Sequence, residues 1–278
     1  MTDRPVQPSF YQELVSRFSR DQVASLSAEL AYFFLLSLFP FLIFLMTLIG
    51  YLPISSDFVL DFIRQYAPGE TMRLIEETIR NIVDTQNGKL LSFGVIATLW
   101  SASNGINAIV RALNRAYDVN ESRHFLIARL MAILLTFAMI FVIVVALLLP
   151  VFGREIGYFI FSTFGLSEMF LTVWNTLRWL VSATILCIVF TGLYFIAPNL
   201  RLKISEAYPG ALFATVGWIV VSLAFSYYVG NFGHYSVMYG SLGGVIVLLI
   251  WFYLTGIIVV LGGEINAILY RRYHQIPS

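Results

Sequence analysis

The sequence predicts an all-α integral membrane protein with six transmembrane helices and an extracytoplasmic helical cap between spans one and two. Three observations predict it. From Ala207 to Gly263, 57 residues pass without an Asp, Glu, Lys or Arg. Hydrophobic residues make up 59% of the 278-residue chain and charged residues only 12%, where a soluble domain carries about 25% charged residues. The loops also alternate between cation-rich and cation-poor. A hydrocarbon core about 30 Å thick takes about 20 apolar residues of helix to cross, so the silent run is long enough for two crossings.

Residues 1–25 are polar and lack a small-residue cleavage site, so they read as a cytoplasmic amphipathic segment and not a cleaved signal. Phe10, Leu14 and Phe18 share a helical face. Such a helix packs against the bundle or lies on lipid, with Arg17 and Arg20 available to phosphates. Residues 26–278 form the membrane domain. The expected spans are about Leu26–Leu52, Leu90–Ala112, Phe125–Phe152, Trp174–Ala197, Ala207–Val229 and Tyr239–Leu269. Pro40 and Pro150 are positioned to kink spans one and three. In the cap, 53–89, helices are expected near Asp57–Tyr66 and Gly69–Thr85, the second with an apolar stripe of Met72, Ile75, Ile79, Ile82 and Val83.

Alternating loops place eleven of the 17 Lys and Arg residues on one side and six on the other. The positive-inside rule then puts both termini in the cytoplasm. Net charge is +1, so there is no broad basic field for nucleic acid. Cys187 is the single cysteine, which excludes an intrachain disulfide and reads as packing inside span four. His124, His234 and His274 are scattered. No HExxH, Walker, GxSxG or CxxC motif occurs. The chain reads as a non-enzyme with no metal and no cofactor.

Two features stand out against the apolar background. Trp100, Ser103, Asn104, Asn107, Arg111 and Asn114 fall on one face of span two. Unpaired amides are costly in lipid, so this face is expected to turn inward. There it lines a hydrated path or forms interhelical hydrogen bonds. The second feature is Glu264, which ends the silent run. Counting about 1.5 Å per residue puts Arg111 and Glu264 at the same cytoplasmic level, with Glu29. The expected cluster is Glu29, Arg111 and Glu264, with Arg115 beside it, acting as a gate, a proton site or a headgroup contact, or as a structural ion pair. Gly240, Gly244, Gly256 and Gly262 mark expected close helix packing in span six.

The motifs resemble those of the YihY/BrkB family of bacterial inner-membrane proteins. The matching residues are LAYFFLLSLFP at Leu30–Pro40, LWSASNGINAIVRALNRAYDV at Leu99–Val119, PGALFA at Pro209–Ala214, SYYVGNFGHYSVMYGSLGGVIVLLIWFYL at Ser226–Leu254 and LGGEINAIL at Leu261–Leu269. The family's closing motif usually reads LLGAE. Glu264 matches its acid, with Gly263 in place of Ala, whereas the position of Glu29 is more often small or neutral. The resemblance implies a six-helix bundle with cytoplasmic termini. It also links the chain to virulence, envelope integrity and, in one branch, lipid export. A ribonuclease label has been attached to the family, and no residue pattern here supports that chemistry.

The expected function is therefore a transporter or flippase-like protein for a lipid or other amphipathic envelope substrate, with membrane lipids as its surroundings and no nucleic-acid partner. The competing expectation is a non-transporting envelope scaffold. The sequence sets neither the substrate nor the oligomeric state.

Overall fold

In the computed structural model the described residues are 9–51, 57, 60, 76, 87–138, 168–232 and 242–275. They are helical, with seven helices: α1 Phe10–Arg20, α2 Val23–Ile49, α3 Gly88–Ala116, α4 Phe125–Ala138, α5 Glu168–Ile196, α6 Ile204–Phe232 and α7 Gly243–Tyr273. Five of these, α2, α3, α5, α6 and α7, contain stretches long and apolar enough to cross a membrane. The third expected span is described only as the shorter α4. Pro150, Gly240, His234 and nearly all of the expected cap lie outside the described residues.

The chain divides into two compact units, one of Met1–Tyr32 with Gly105–Ser278, the other of Phe33–Asn104. In the second unit α2 and α3 approach closely at Gly94, where an added Cβ would stand 2.9 Å from the Phe44 backbone nitrogen. Pro40 lies inside α2, which runs through it.

The first unit holds the packed end of the bundle. α6 lies against both α5 and α7. At this end α7 is enclosed on all sides, with Gly262 through Ile268 all buried. Backbone proximity makes this possible. A Cβ on Gly262 would collide with the Tyr194 hydroxyl and stand 2.8 Å from the Gly210 carbonyl, and one on Gly263 would collide with Leu113. Gly256 similarly admits Ser27 of α2, whose carbonyl would lie 3.0 Å from an added Cβ. Gly244 differs from expectation: nothing among the described residues lies within 4 Å of a Cβ placed there.

Side chains then tie these helices together. Asn266, fully buried, accepts from the Gly210 N–H at 2.6 Å and donates to the Ala207 carbonyl at 2.9 Å. Both contacts flank Pro209, which sits inside α6 and has no N–H to give the helix. Tyr194 of α5 donates to the Val259 carbonyl at 2.7 Å. The motif residues PGALFA and LGGEINAIL thus meet each other as one α6–α7 contact.

α3 ends in a Schellman turn: Val119 N–H bonds Asn114 O at 2.9 Å and Asp118 N–H bonds Arg115 O at 3.0 Å. Asp118 takes the left-handed position at φ 53°, where Gly or Asn is usual. The two neighbouring loops are joined through Asn199. Its N–H donates to Asn114 Oδ1 at 2.7 Å and its amide to Asn120 O and Ser122 Oγ at 2.7 and 2.8 Å. Arg123 donates to the carbonyls of Ala197 and Pro198, closing the end of α5.

Candidate functional site

The most heavily charged part of the described structure is this packed end, where α1 folds back onto the bundle. α1 starts with a capping box between Ser9 and Gln12, which fixes its first turn. Glu13, Arg17 and Asp21 then recur every fourth residue on one face, and all three are buried, at 9, 1 and 4% exposure.

Arg17 is the centre. Its Nη1 donates to the Ala116 carbonyl at 3.0 Å and to Glu264 Oε2 at 3.3 Å, and its Nη2 lies 3.2 Å from Glu13 Oε1. Ala116 is the last residue of α3, so Arg17 satisfies an orphan helix-end carbonyl and complements the negative end of the helix dipole. Arg272 Nη2 donates to Glu13 Oε2 at 3.0 Å, and its guanidinium sits 5.6 Å from the Phe10 ring centroid. The result is an alternating chain Arg272–Glu13–Arg17–Glu264 linking α1 to α7. Among the described residues Glu264 Oε1 and Arg17 Nε are buried without a hydrogen-bond partner, and Arg17 Nη2 has only its ion pair with Glu13.

These pairings correct the expected cluster. Glu264 bonds Arg17, and Arg111 bonds Glu29 in a separate, half-exposed pair. Arg115 donates to Gln22 Oε1 at 3.1 Å and to the Arg20 carbonyl at 3.0 Å, and stands 4.0 Å from Asp21. The counting along the helices set axial level but not direction around the helix, and Arg111 and Glu264 face different neighbours. Nor is Glu264 a wet rim residue: it is 0% exposed and α7 continues to Tyr273. In this docked arrangement Arg17 is likewise withdrawn from lipid phosphates.

The polar face of α3 is also redistributed. Ser103 and Asn114 are buried, at 0 and 5%. Asn104 and Asn107 are half-buried, while Trp100 and Arg111 are exposed. Ser103 donates to the Trp100 carbonyl of its own helix at 3.0 Å, and Asn114 organises the loops, donating to Glu121 Oε2 at 3.0 Å. The face therefore runs along the edge of the packing and does not turn wholly inward, because Gly105, Ile106, Ala108 and Ile109 take the buried side.

Beyond the spans, three ionisations are displaced. Burial pushes the Tyr117 hydroxyl up, helped by Glu206, Tyr270 and Glu264. This hydroxyl has no hydrogen-bond partner among the described residues, and its ring packs edge-on against Tyr270 at 5.7 Å. For Asp118, burial acts upward but the hydrogen bond and charge of Arg271 outweigh it, and the carboxyl is held below its ordinary value. The hydrogen bond to Asp21 raises Arg20. Among the described residues no group of three or more His, Cys, Asp or Glu side chains is arranged to hold a metal ion.

The sequence reading missed the roles of Arg17, Glu13 and Asn266. The i, i+4, i+8 charge spacing in α1 and a lone Asn within an apolar helix were the available signals.

Comparison with known proteins is consistent with this architecture. The model of the family described as Virulence factor BrkB matches residues 14–277. A ribonuclease-like protein of Bacillus subtilis (strain 168), YfkH, is 60% identical over 264 residues, 95% of this chain and 96% of that protein. A UPF0761 membrane protein of Vibrio campbellii is 28% identical over 283 residues, covering 97% and 85% of the two chains. Another, from Vibrio atlanticus, is 25% identical over 266 residues, covering 94% and 82%. No solved structure matches. With a family match running from α1 to beyond the end of α7, the chain belongs to the BrkB virulence-factor family of membrane proteins.

Proposed function

We propose that this BrkB-family protein lies in the bacterial cytoplasmic (inner) membrane with both termini in the cytoplasm, and that it moves a lipid or another amphipathic envelope substrate across it. The orientation rests on the cation excess of the loops at the α1 end. The transport reading rests on one observation. The half-exposed Arg111–Glu29 pair, 53 and 36% exposed, stands on the surface of two membrane-length helices, and the half-buried Asn107 lies one turn along α3 from Arg111, followed by Asn104. Polar groups at the edge of an apolar bundle are expensive unless they meet water or polar headgroups. A partly open polar face suits a substrate whose headgroup follows protein while its tails stay in lipid. It suits a closed ion channel less well.

Purified protein in vesicles carrying a fluorescent phospholipid in the inner leaflet tests this. The reading expects the label to reach an external quencher faster than in empty vesicles. If neither a panel of lipid headgroups nor ions move, transport is wrong. A non-transporting scaffold is the second reading, favoured by the tight stapling of the α1 end through Asn199, Arg123 and Asn266. The ribonuclease-like name of the Bacillus relative has no counterpart in a metal-holding group of three or more His, Cys, Asp or Glu among the described residues.

A further inference from the structure

α1 docks with the wrong face for a helix held by hydrophobic burial. Phe10, Tyr11, Leu14, Val15 and Phe18 form one continuous apolar face at helical spacing. Yet the buried residues of α1 are Glu13 and Arg17. Phe10, Leu14 and Phe18 are only half covered, and Tyr11 and Val15 stay exposed at 73 and 53%. Apolar surface is left out while charge is taken in. A buried ion pair gives specific geometry but little net stability, because desolvation consumes most of the attraction. The docked position is therefore held by specific polar contacts more than by apolar burial, and a ligand that replaces those contacts can compete for it.

Arg17 is also under-used where it sits. Its Nε is buried without a hydrogen-bond partner among the described residues, as is Glu264 Oε1, and its Nη2 has only the ion pair with Glu13 Oε1 at 3.2 Å. A guanidinium matches phosphate as well as carboxylate, and with phosphate it makes two parallel bonds. The surroundings supply the alternative. α1 sits where α3 and α7 end, with Arg20 on it and Arg115 and Arg272 against it; each pairs with an acid of α1 or Asp21, and the Arg20 side chain remains 48% exposed. At the ends of membrane-length helices, cations and a free apolar helix face complement an anionic lipid surface.

We propose that α1 is an exchangeable membrane-surface helix, with anionic phospholipid headgroups competing with Glu264 for Arg17. In the docked state Arg17 binds Glu264, the Ala116 carbonyl and Glu13, and Glu13 also holds Arg272. In the exchanged state Arg17 binds lipid phosphate, with Arg20 beside it, and the face of Phe10, Tyr11, Leu14, Val15 and Phe18 enters the interface. Glu264 then opens to water. This inference does not depend on whether the protein transports anything.

The test uses the full chain in nanodiscs, with spin labels at Val15→Cys and Tyr273→Cys, both exposed positions, and Cys187→Ser to remove the native thiol. In pure phosphatidylcholine a single short distance is expected. Added phosphatidylglycerol should raise the ratio of released to docked α1 by about tenfold, the size of one charge-assisted contact exchanged for another, and high salt should reverse it. Glu264→Gln should release α1 without phosphatidylglycerol, and Arg17→Gln should leave it insensitive to lipid charge. A distance unchanged at every phosphatidylglycerol content overturns the proposal. So does equal release in neutral and anionic discs. The lipid titration needs no substitution at Arg17 or Glu264, so poor folding of those variants does not affect it.

Discussion

Gly210 of α6 gives its backbone N–H to the side-chain oxygen of Asn266 on α7 at 2.6 Å. The same amide donates back to Ala207. One side chain thus grips the turn on both sides of Pro209, at a level where an added Cβ on Gly210 would lie 2.6 Å from the Asn266 amide carbon. Asn266→Leu removes both buried bonds to α6 and is expected to cost about 1–3 kcal/mol. Gly210→Ala forces α6 and α7 apart, at about 1–3 kcal/mol for overpacking. Thermal unfolding in detergent reads both, and the double variant should cost less than the sum because the two share a contact.

Arg17 and Glu264 should show the asymmetry of a buried pair. Arg17→Met alone leaves a buried carboxylate and costs up to about 3–5 kcal/mol, while Arg17→Met with Glu264→Met costs much less. Release of α1 lowers the single-variant cost by letting water reach Glu264. A double-mutant cycle by chemical or thermal unfolding gives the coupling, and additive costs would show that the two charges do not interact.

If the polar edge of α3 carries headgroups, Arg111→Gln and Asn107→Leu should slow lipid movement in vesicles by about tenfold or more, the equivalent of one charged hydrogen bond lost along the path. Their melting temperatures should stay close to the parent, since Arg111 is half-exposed and exposed ion pairs contribute about 0–1 kcal/mol. Unchanged flux would remove both from the path.

Asp118 predicts a specific acid response. Its folded pKa is depressed below the ordinary 3.8 by Arg271, against the opposing effect of burial. A depressed carboxyl stabilises the fold above the unfolded value and loses that contribution as pH falls through the folded value. Asp118→Asn keeps the left-handed turn, which Asn tolerates, and removes the titration. Stability measured across the acid range below about pH 4 should therefore depend less on pH in the variant than in the parent.

The motif PGALFA and the motif LGGEINAIL were each visible in the sequence, but their contact was not. The same limit explains the Glu264 partner. Residue counting placed Arg111 and Glu264 at one level, and an α-helix fixes level by its rise per residue. It does not fix which neighbour a face meets. Arg17 lies 247 positions from Glu264, in a segment read as separate from the spans, and only the fold-back of α1 brings them together. Likewise the polar face of α3 is legible in the sequence, while its placement at the edge of the packing depends on which helices surround it.

By itself the sequence determined the class of this protein. Long charge-free apolar runs have no stable state in water or lipid other than buried or membrane-spanning helices, and five such helices stand in the described structure. It determined the positions of the glycines and of Asn266 along those helices. The tertiary structure decided what each polar group meets: Arg17 for Glu264, Glu29 for Arg111, Gly210 for Asn266. The physical reason is range. Hydrophobic burial and helix periodicity act within a segment, whereas an ion pair or a buried amide bond is a property of two segments and exists only once packing has chosen their neighbours.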